Sequence, residues 1–148
     1  MIDLGLFRFA HPVQIRFADL DALEHVNNAK YFTYMETARL VYFQQVIGWS
    51  GGRSELGVIL ARATCDFKLP LALQDEIKVY TRVSRIGVRS FDFEYAVVRD
   101  SDGAIAGEGT SVQVAYNYKA NASVAVPETW RTKMMEFEPG LKIKSAGR

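Results

Sequence analysis

The chain has 148 residues, the length of one domain, and its 49% hydrophobic and 12% aromatic content is ample for a core. Eighteen basic against seventeen acidic side chains leave a formal charge of +1, so no strong field favours nucleic acid or an anionic membrane. A single cysteine, Cys65, excludes an internal disulfide; no apolar run approaches the ~20 residues that span a bilayer; and residues 1–10 lack the basic start and apolar block of a secretory signal, so a cytoplasmic protein is expected.

From Val13 the order Val13, Ile15, Phe17 against Gln14, Arg16, Ala18 alternates apolar with polar or small, which predicts a half-buried strand ending at Asp19 and Asp21. The two-residue spacing would put both carboxylates on one side if the chain is extended there. Asn27 and Asn28 read as a helix start, because Asn accepts a hydrogen bond from a first-turn N–H. Over residues 28–47 the apolar Tyr31, Tyr34, Met35, Ala38 and Tyr42 recur at spacings of three and four, while Phe32, Leu40, Phe43 and Ile47 populate the other side. So broad an apolar circumference calls for a helix that is wrapped rather than laid on a flat face, with Gly48 as its stop.

After Gly51 and Gly52 the period becomes that of strands almost to residue 117: a run over residues 58–67 ended by Pro70, an alternating run at 77–84, and another at 90–97. The last two form a hairpin around residues 85–88. Asp102-Gly103 is a second hairpin turn before a strand in which Val112, Val114 and Tyr116 share a face, and Gly107 and Gly109 are read as a bulge. Pro127 opens a short closing helix over residues 128–135, and residues 137–148 are expected to form a flexible tail. A strand, a long helix and four consecutive strands make an α+β arrangement in which one antiparallel sheet curls around one helix, the hotdog fold, as a single domain over residues 1–148.

The stretch from residue 16 to 39 brings two aspartates, His25 and two asparagines to the mouth of an apolar helix. A carboxylate near exposed first-turn N–H groups, at the positive end of a helix dipole, suits chemistry on a carbonyl. In order along the chain stand Asp19-x-Asp21, His25-Val26-Asn27-Asn28, Tyr31, Glu36-x-Ala38-Arg39, Lys68-Leu69-Pro70 and Val126-Pro127-x-x-Trp130-Arg131. This set, over about residues 12–131, resembles the hotdog-fold acyl-CoA thioesterase family, in the branch of 4-hydroxybenzoyl-CoA thioesterase.

The resemblance implies hydrolysis of an acyl-CoA to free acid and coenzyme A. Such a reaction needs a nucleophile or base and a partner for the oxyanion. By position in the motif Asp21 is the expected catalytic carboxylate, attacking directly or activating water, and the main-chain N–H of Asn28 is expected to grip the thioester oxygen. Asp19 is expected to support the loop or hold Arg16. His25 is read either as orienting the carboxylate or water, or as closing the loop. Arg85 and Arg89 match the region where relatives meet the phosphates of coenzyme A, a task suited to forked guanidinium groups, against the plainer reading of solvated hairpin charges. Glu36 is an alternative site carboxylate on the helix, set against an ion pair with Arg39 or a neighbouring strand. Two histidines and one cysteine argue against zinc, and no cofactor is expected beyond the coenzyme A of the substrate.

One hotdog unit leaves a sheet edge open, so a homodimer or homotetramer is expected. Many relatives carry Gly where this chain has Glu24, which bears on loop shape. The competing readings are a hotdog hydratase or dehydratase on acyl thioesters, and a non-catalytic acyl-thioester-binding protein.

Overall fold

The structure, a computed structural model, describes residues 2–49 and 56–143. The turn expected at Gly51 and Gly52 lies outside them. Strand β1 (Phe9–Val13) leads through a short 3-10 turn at Phe17–Asp19 to helix α1 (Asn28–Tyr42), followed by β2 (Leu56–Phe67), β3 (Ile77–Ile86), β4 (Ser90–Arg99), β5 (Ile105–Asn117), β6 (Ala122–Ser123), α2 (Glu128–Phe137) and β7 (Lys142–Ile143). The sheet runs β1-β3-β4-β5-β2 with antiparallel neighbours; β6 adds to β5, and β7 lies parallel to β3. It curls around α1, as expected of a hotdog fold.

Helix α1 buries Tyr31, Tyr34, Met35, Ala38 and Tyr42 against the sheet, the stripe read from the sequence. The other side is not fully wrapped. Phe32 and Leu40 are 37% and 43% exposed, because one sheet covers one flank and stops at β2. Past Tyr42 the helix widens into a π turn, Phe43–Ile47, and stops at Gly48, whose φ of 83° glycine adopts without strain.

A bulge does adjoin Gly107, but both glycines also serve the helix. The extra residue of β5 is Ala106, since Val97 pairs with Gly107 and Val98 with Ile105. A Cβ at Gly107 would lie 3.0 Å from the Tyr31 ring, and one at Gly109 2.6 Å from the Met35 methyl, so the two glycines let α1 sink onto the sheet.

The first strand also differs from expectation. It covers residues 9–13 and not 13–18, because the side chain of Asp19 turns back onto the Arg16 N–H and winds residues 17–19 into a 3-10 turn. Pro12 fits β1, which is an edge strand. At the other terminus, α2 runs through Phe137, and Pro127 is its N-cap rather than its first residue. The expected flexible tail is anchored as far as residue 143. Glu138 is 3% exposed, and β7 pairs with Arg85 and Ile86.

Candidate active site

The loop between the 3-10 turn and α1 is built by its own polar groups. The Asp21 N–H donates to the His25 carbonyl at 2.7 Å, and Asp21 Oδ1 accepts the N–H groups of Leu23 (2.9 Å) and His25 (3.2 Å). At its foot the Val26 N–H reaches the Leu71 carbonyl and the Asn27 N–H the Asp19 carbonyl, both at 2.8 Å. The loop therefore meets the helix in one fixed geometry. Glu24 stands at φ 63°, a left-handed conformation that favours glycine and that a glutamate bears with strain. Its side chain is exposed.

Asp19 and Asp21 part company here. Asp19 is 2% exposed and accepts the Arg16 N–H (3.0 Å), the Tyr34 hydroxyl (2.7 Å) and an Arg16 guanidinium N–H (3.4 Å). Burial works against its ionisation, but these donors and the Arg16 charge outweigh burial and hold its pKa below the ordinary value. Asp19 holds the loop and Arg16, one of the roles expected of it. Asp21 is exposed, and its Oδ2 makes no hydrogen bond among the described residues.

At the start of α1, Asn27 accepts the Ala29 N–H on its side chain (2.9 Å) and the Lys30 N–H on its carbonyl (2.8 Å). The Asn28 N–H has no partner among the described residues. That is one unpaired donor at the positive end of a helix of 15 residues.

Asp21, His25 and Asn28 line one open cavity of about 230 Å³, with Val26, Tyr31 and the segment from Phe67 to Pro70 as the remaining wall. The Tyr31 hydroxyl donates to the Leu69 carbonyl at 2.9 Å, and its ring meets Phe67 edge-on. Burial pushes the Tyr31 pKa up to about 12, so it remains a donor. The sequence reading did not single out Tyr31, Phe67 or Lys68 as site residues. Their signal was the strand end before Pro70, where the chain leaves the sheet beside the helix N-terminus.

The other candidates lie elsewhere. Arg85 is 12% exposed and grips Asp92 with two hydrogen bonds of 3.0 and 2.7 Å, so its fork is not free for a phosphate. The side-chain bond to Asp92 raises its pKa. Arg89 is exposed and spends one nitrogen on Ser123. Its carbonyl accepts the Ala115 N–H, and Ala115 pairs with Val58. Arg89 thus belongs near the Val58 end of β2 and Asp21 near the Phe67 end, about 30 Å apart at ~3.3 Å per residue. Glu36 makes no ion pair with Arg39 or with a strand among the described residues, against the plainer expectation; Arg39 donates instead to the Tyr95 hydroxyl at 3.0 Å. No group of three or more His, Cys, Asp and Glu suited to a metal ion occurs among the described residues, and no described helix is long and apolar enough to cross a membrane.

Comparison with known proteins places this geometry. A family model described as the thioesterase-like superfamily matches residues 15–136. A solved structure of a thioesterase from Thermus thermophilus, complexed with coenzyme A and Zn, is 33% identical with a TM-score of 0.75, over 86% of this chain and 98% of that one. Among curated proteins, the uncharacterized protein YsmA of Bacillus subtilis is 29% identical over 60% of each chain. The long-chain acyl-CoA thioesterase FadM of Escherichia coli is 18% identical over 84% of this chain and 96% of its own.

Proposed function

The chain belongs to the thioesterase-like superfamily, and from that premise we propose that it hydrolyses an acyl-CoA to the free acid and coenzyme A, with Asp21 and the Asn28 N–H as the reacting pair. The observation that carries this reading is their meeting in one cavity: a carboxylate with an unengaged oxygen faces the same space as an unpaired helix-start donor. Attack on the thioester carbon drives charge onto the carbonyl oxygen, where the Asn28 N–H and the helix dipole stabilise it. Loss of one such donor costs about 2.7–4 kcal/mol in other enzymes. Collapse of the tetrahedral intermediate then expels the thiolate. Asp21 either takes the proton of an attacking water, or attacks itself to form a mixed anhydride that water then hydrolyses to the free acid and the original carboxylate; His25 lies beside it on the cavity wall.

A homodimer completes the site. Strand β2 ends the sheet, with Ile59, Leu60 and Phe67 exposed along it and Phe32 and Leu40 exposed on the adjoining helix flank. Antiparallel pairing of two such edges would bring the Val58 end of one copy beside the Phe67 end of the other. The hairpin of the second copy, with Arg89, would then approach the Asp21 cavity of the first, where a guanidinium can meet the phosphates of coenzyme A. The coenzyme A bound to the Thermus thermophilus thioesterase supports that carrier.

The test is release of free thiol from a panel of acyl-CoAs. Thiol release that disappears in Asp21→Asn supports the hydrolase. A change in enoyl absorbance without thiol would replace it with a hydratase, and binding without either change with an acyl-thioester carrier.

A further inference from the structure

A second cleft opens two turns along α1 from the Asp21 cavity, on the same flank. Its walls include Phe32, Glu36, Arg39, Leu60, Tyr95 and Ser111, enclosing about 150 Å³, and a larger hollow of about 390 Å³ shares Glu36, Arg39 and Leu60 with it. Behind it lies a chain of buried polar groups. Arg39 Nη1 donates to Tyr95 Oη (3.0 Å), Tyr95 Oη meets Ser111 Oγ (2.6 Å), Ser111 Oγ donates to Gln113 Oε1 (2.7 Å), and Gln113 Nε2 donates to the Phe91 carbonyl (3.4 Å). Tyr95 and Gln113 are fully buried and Ser111 is 1% exposed. Such burial is costly unless every group is paired, so the order of the chain is informative.

Its proton direction can be deduced. The Phe91 carbonyl can only accept, which fixes the Gln113 amide and leaves Oε1 as acceptor. The Ser111 proton is therefore spent on Gln113, and the Tyr95 proton must go to Ser111. Tyr95 Oη is then an acceptor for Arg39, and the series ends at the cleft in a guanidinium. The other guanidinium nitrogens have no partner among the described residues, and no carboxylate lies within ion-pair distance. Glu36, one turn earlier on the same cleft, is an exposed acceptor with no partner among the described residues.

We propose that this cleft is the far end of the acyl pocket and that it selects acyl chains carrying a hydroxyl there, with Arg39 donating to the hydroxyl oxygen and Glu36 accepting its proton. A hydroxyl is the group that satisfies both; a plain methyl leaves both unpaired, and a carboxylate faces Glu36. Tyr95, with Ser111 and Gln113 behind it, is a positioning residue for Arg39. The rise of α1 from Asn28 to Glu36 is about 12 Å, a span that an extended chain of about ten carbons covers. Phe32 on the cleft and Phe67 on the Asp21 cavity meet edge-to-face at 6.4 Å.

This subsite rests on the acyl-CoA reading, and a matched pair of substrates separates the two. We expect kcat/KM for ω-hydroxydecanoyl-CoA to exceed that for decanoyl-CoA by at least about tenfold, less than the ~10⁴–10⁵ of a fully enclosed hydroxyl site because Glu36 is exposed and water can replace the missing hydroxyl. In Tyr95→Phe the ratio should fall to within about threefold of unity, and Arg39→Met should do the same if the first variant fails to fold. The corresponding Kd ratio, measured by calorimetry on Asp21→Asn, should follow the wild-type kcat/KM ratio. Equal kcat/KM and equal Kd for the pair, as would follow if a second copy's side chain filled the cleft, overturn the subsite and leave the hydrolase standing. Thiol release from neither substrate nor from any other acyl-CoA of the panel overturns the hydrolase, and the Kd ratio on the wild-type protein then decides the subsite alone.

Discussion

The two ends of α1 are fastened by the same device and left in opposite states. Near the N-terminus Tyr34 donates to the buried Asp19; near the C-terminus Tyr42 donates to the buried Glu138 at 2.5 Å. Asp19 gathers its donors on both oxygens, one of them from a charged guanidinium, and its pKa is held below the ordinary 3.8. Glu138 takes the Tyr42 hydroxyl and the Val83 N–H on one oxygen, while Oε1 is buried with no partner among the described residues. Burial therefore raises its pKa above the ordinary 4.5, and the neutral donors with the more distant Arg82 and Arg8 offset only part of that rise. At the C-terminal end the π turn, Gly48 and α2 close over the backbone; at the N-terminal end the Asn28 N–H has no partner among the described residues and stands beside Asp21. One end of the helix serves cohesion, and the other leaves a donor open to the cavity that the proposed reaction uses.

That contrast can be broken most severely at Asp21. Asp21→Asn keeps an oxygen able to accept the Leu23 and His25 N–H groups, so the melting temperature should stay within a degree or two while kcat falls by about 10²–10⁴-fold, the scale of a lost base. Glu138→Ala should do the reverse. It strands the Val83 N–H and the Tyr42 hydroxyl in the core, and urea unfolding should show a loss of about 1–3 kcal/mol with kcat held near wild type.

Opposite pH slopes would sharpen the comparison. The lowered pKa of Asp19 means that its contribution to stability is present above about pH 3.8 and is lost as pH falls through its folded-state value. The raised pKa of Glu138 means that its contribution is full below about pH 4.5 and is lost as pH rises through its folded-state value. The stability difference between wild type and Asp19→Asn should therefore grow with pH across the acid range, whereas that for Glu138→Gln should shrink. Parallel slopes would remove the distinction. The smallest effect is expected at Glu24→Gly, where relief of the left-handed strain and the added freedom of glycine nearly cancel, leaving a change of less than about 1 kcal/mol by thermal melting.

Much of this arrangement is legible in the residues themselves. The spacing of Tyr31, Tyr34, Met35, Ala38 and Tyr42 marks the face that α1 buries, Asn27 marks its start and Gly48 its stop. The glycine expected in place of Glu24 is explained by the φ that the position adopts. What local pattern hides is tertiary in origin. The alternation over residues 13–18 looks like a strand until Asp19 folds back on Arg16, and the glycines at 107 and 109 mark the bulge beside Gly107 without showing that the helix is laid across them. Arg85 and Arg89 look equivalent at a hairpin tip, yet Asp92 across the ladder claims one of them. A pair of Glu36 and Arg39 at helical spacing suggests an ion bridge, but the hydroxyl of Tyr95, a residue 56 positions further on, claims the arginine first.

Pro12 carries a consequence for growth. A ribbon of hydrogen-bonded chains lengthens without limit only if both of its margins accept a neighbour, and this one is asymmetric. The margin formed by β1 contains a residue with no N–H to offer and is backed at Arg85 and Ile86 by β7, while the margin formed by β2 is long and uninterrupted by proline. In the proposed dimer, a molecule with one receptive margin would terminate after a single addition, so the strand that pairs would not seed a fibre.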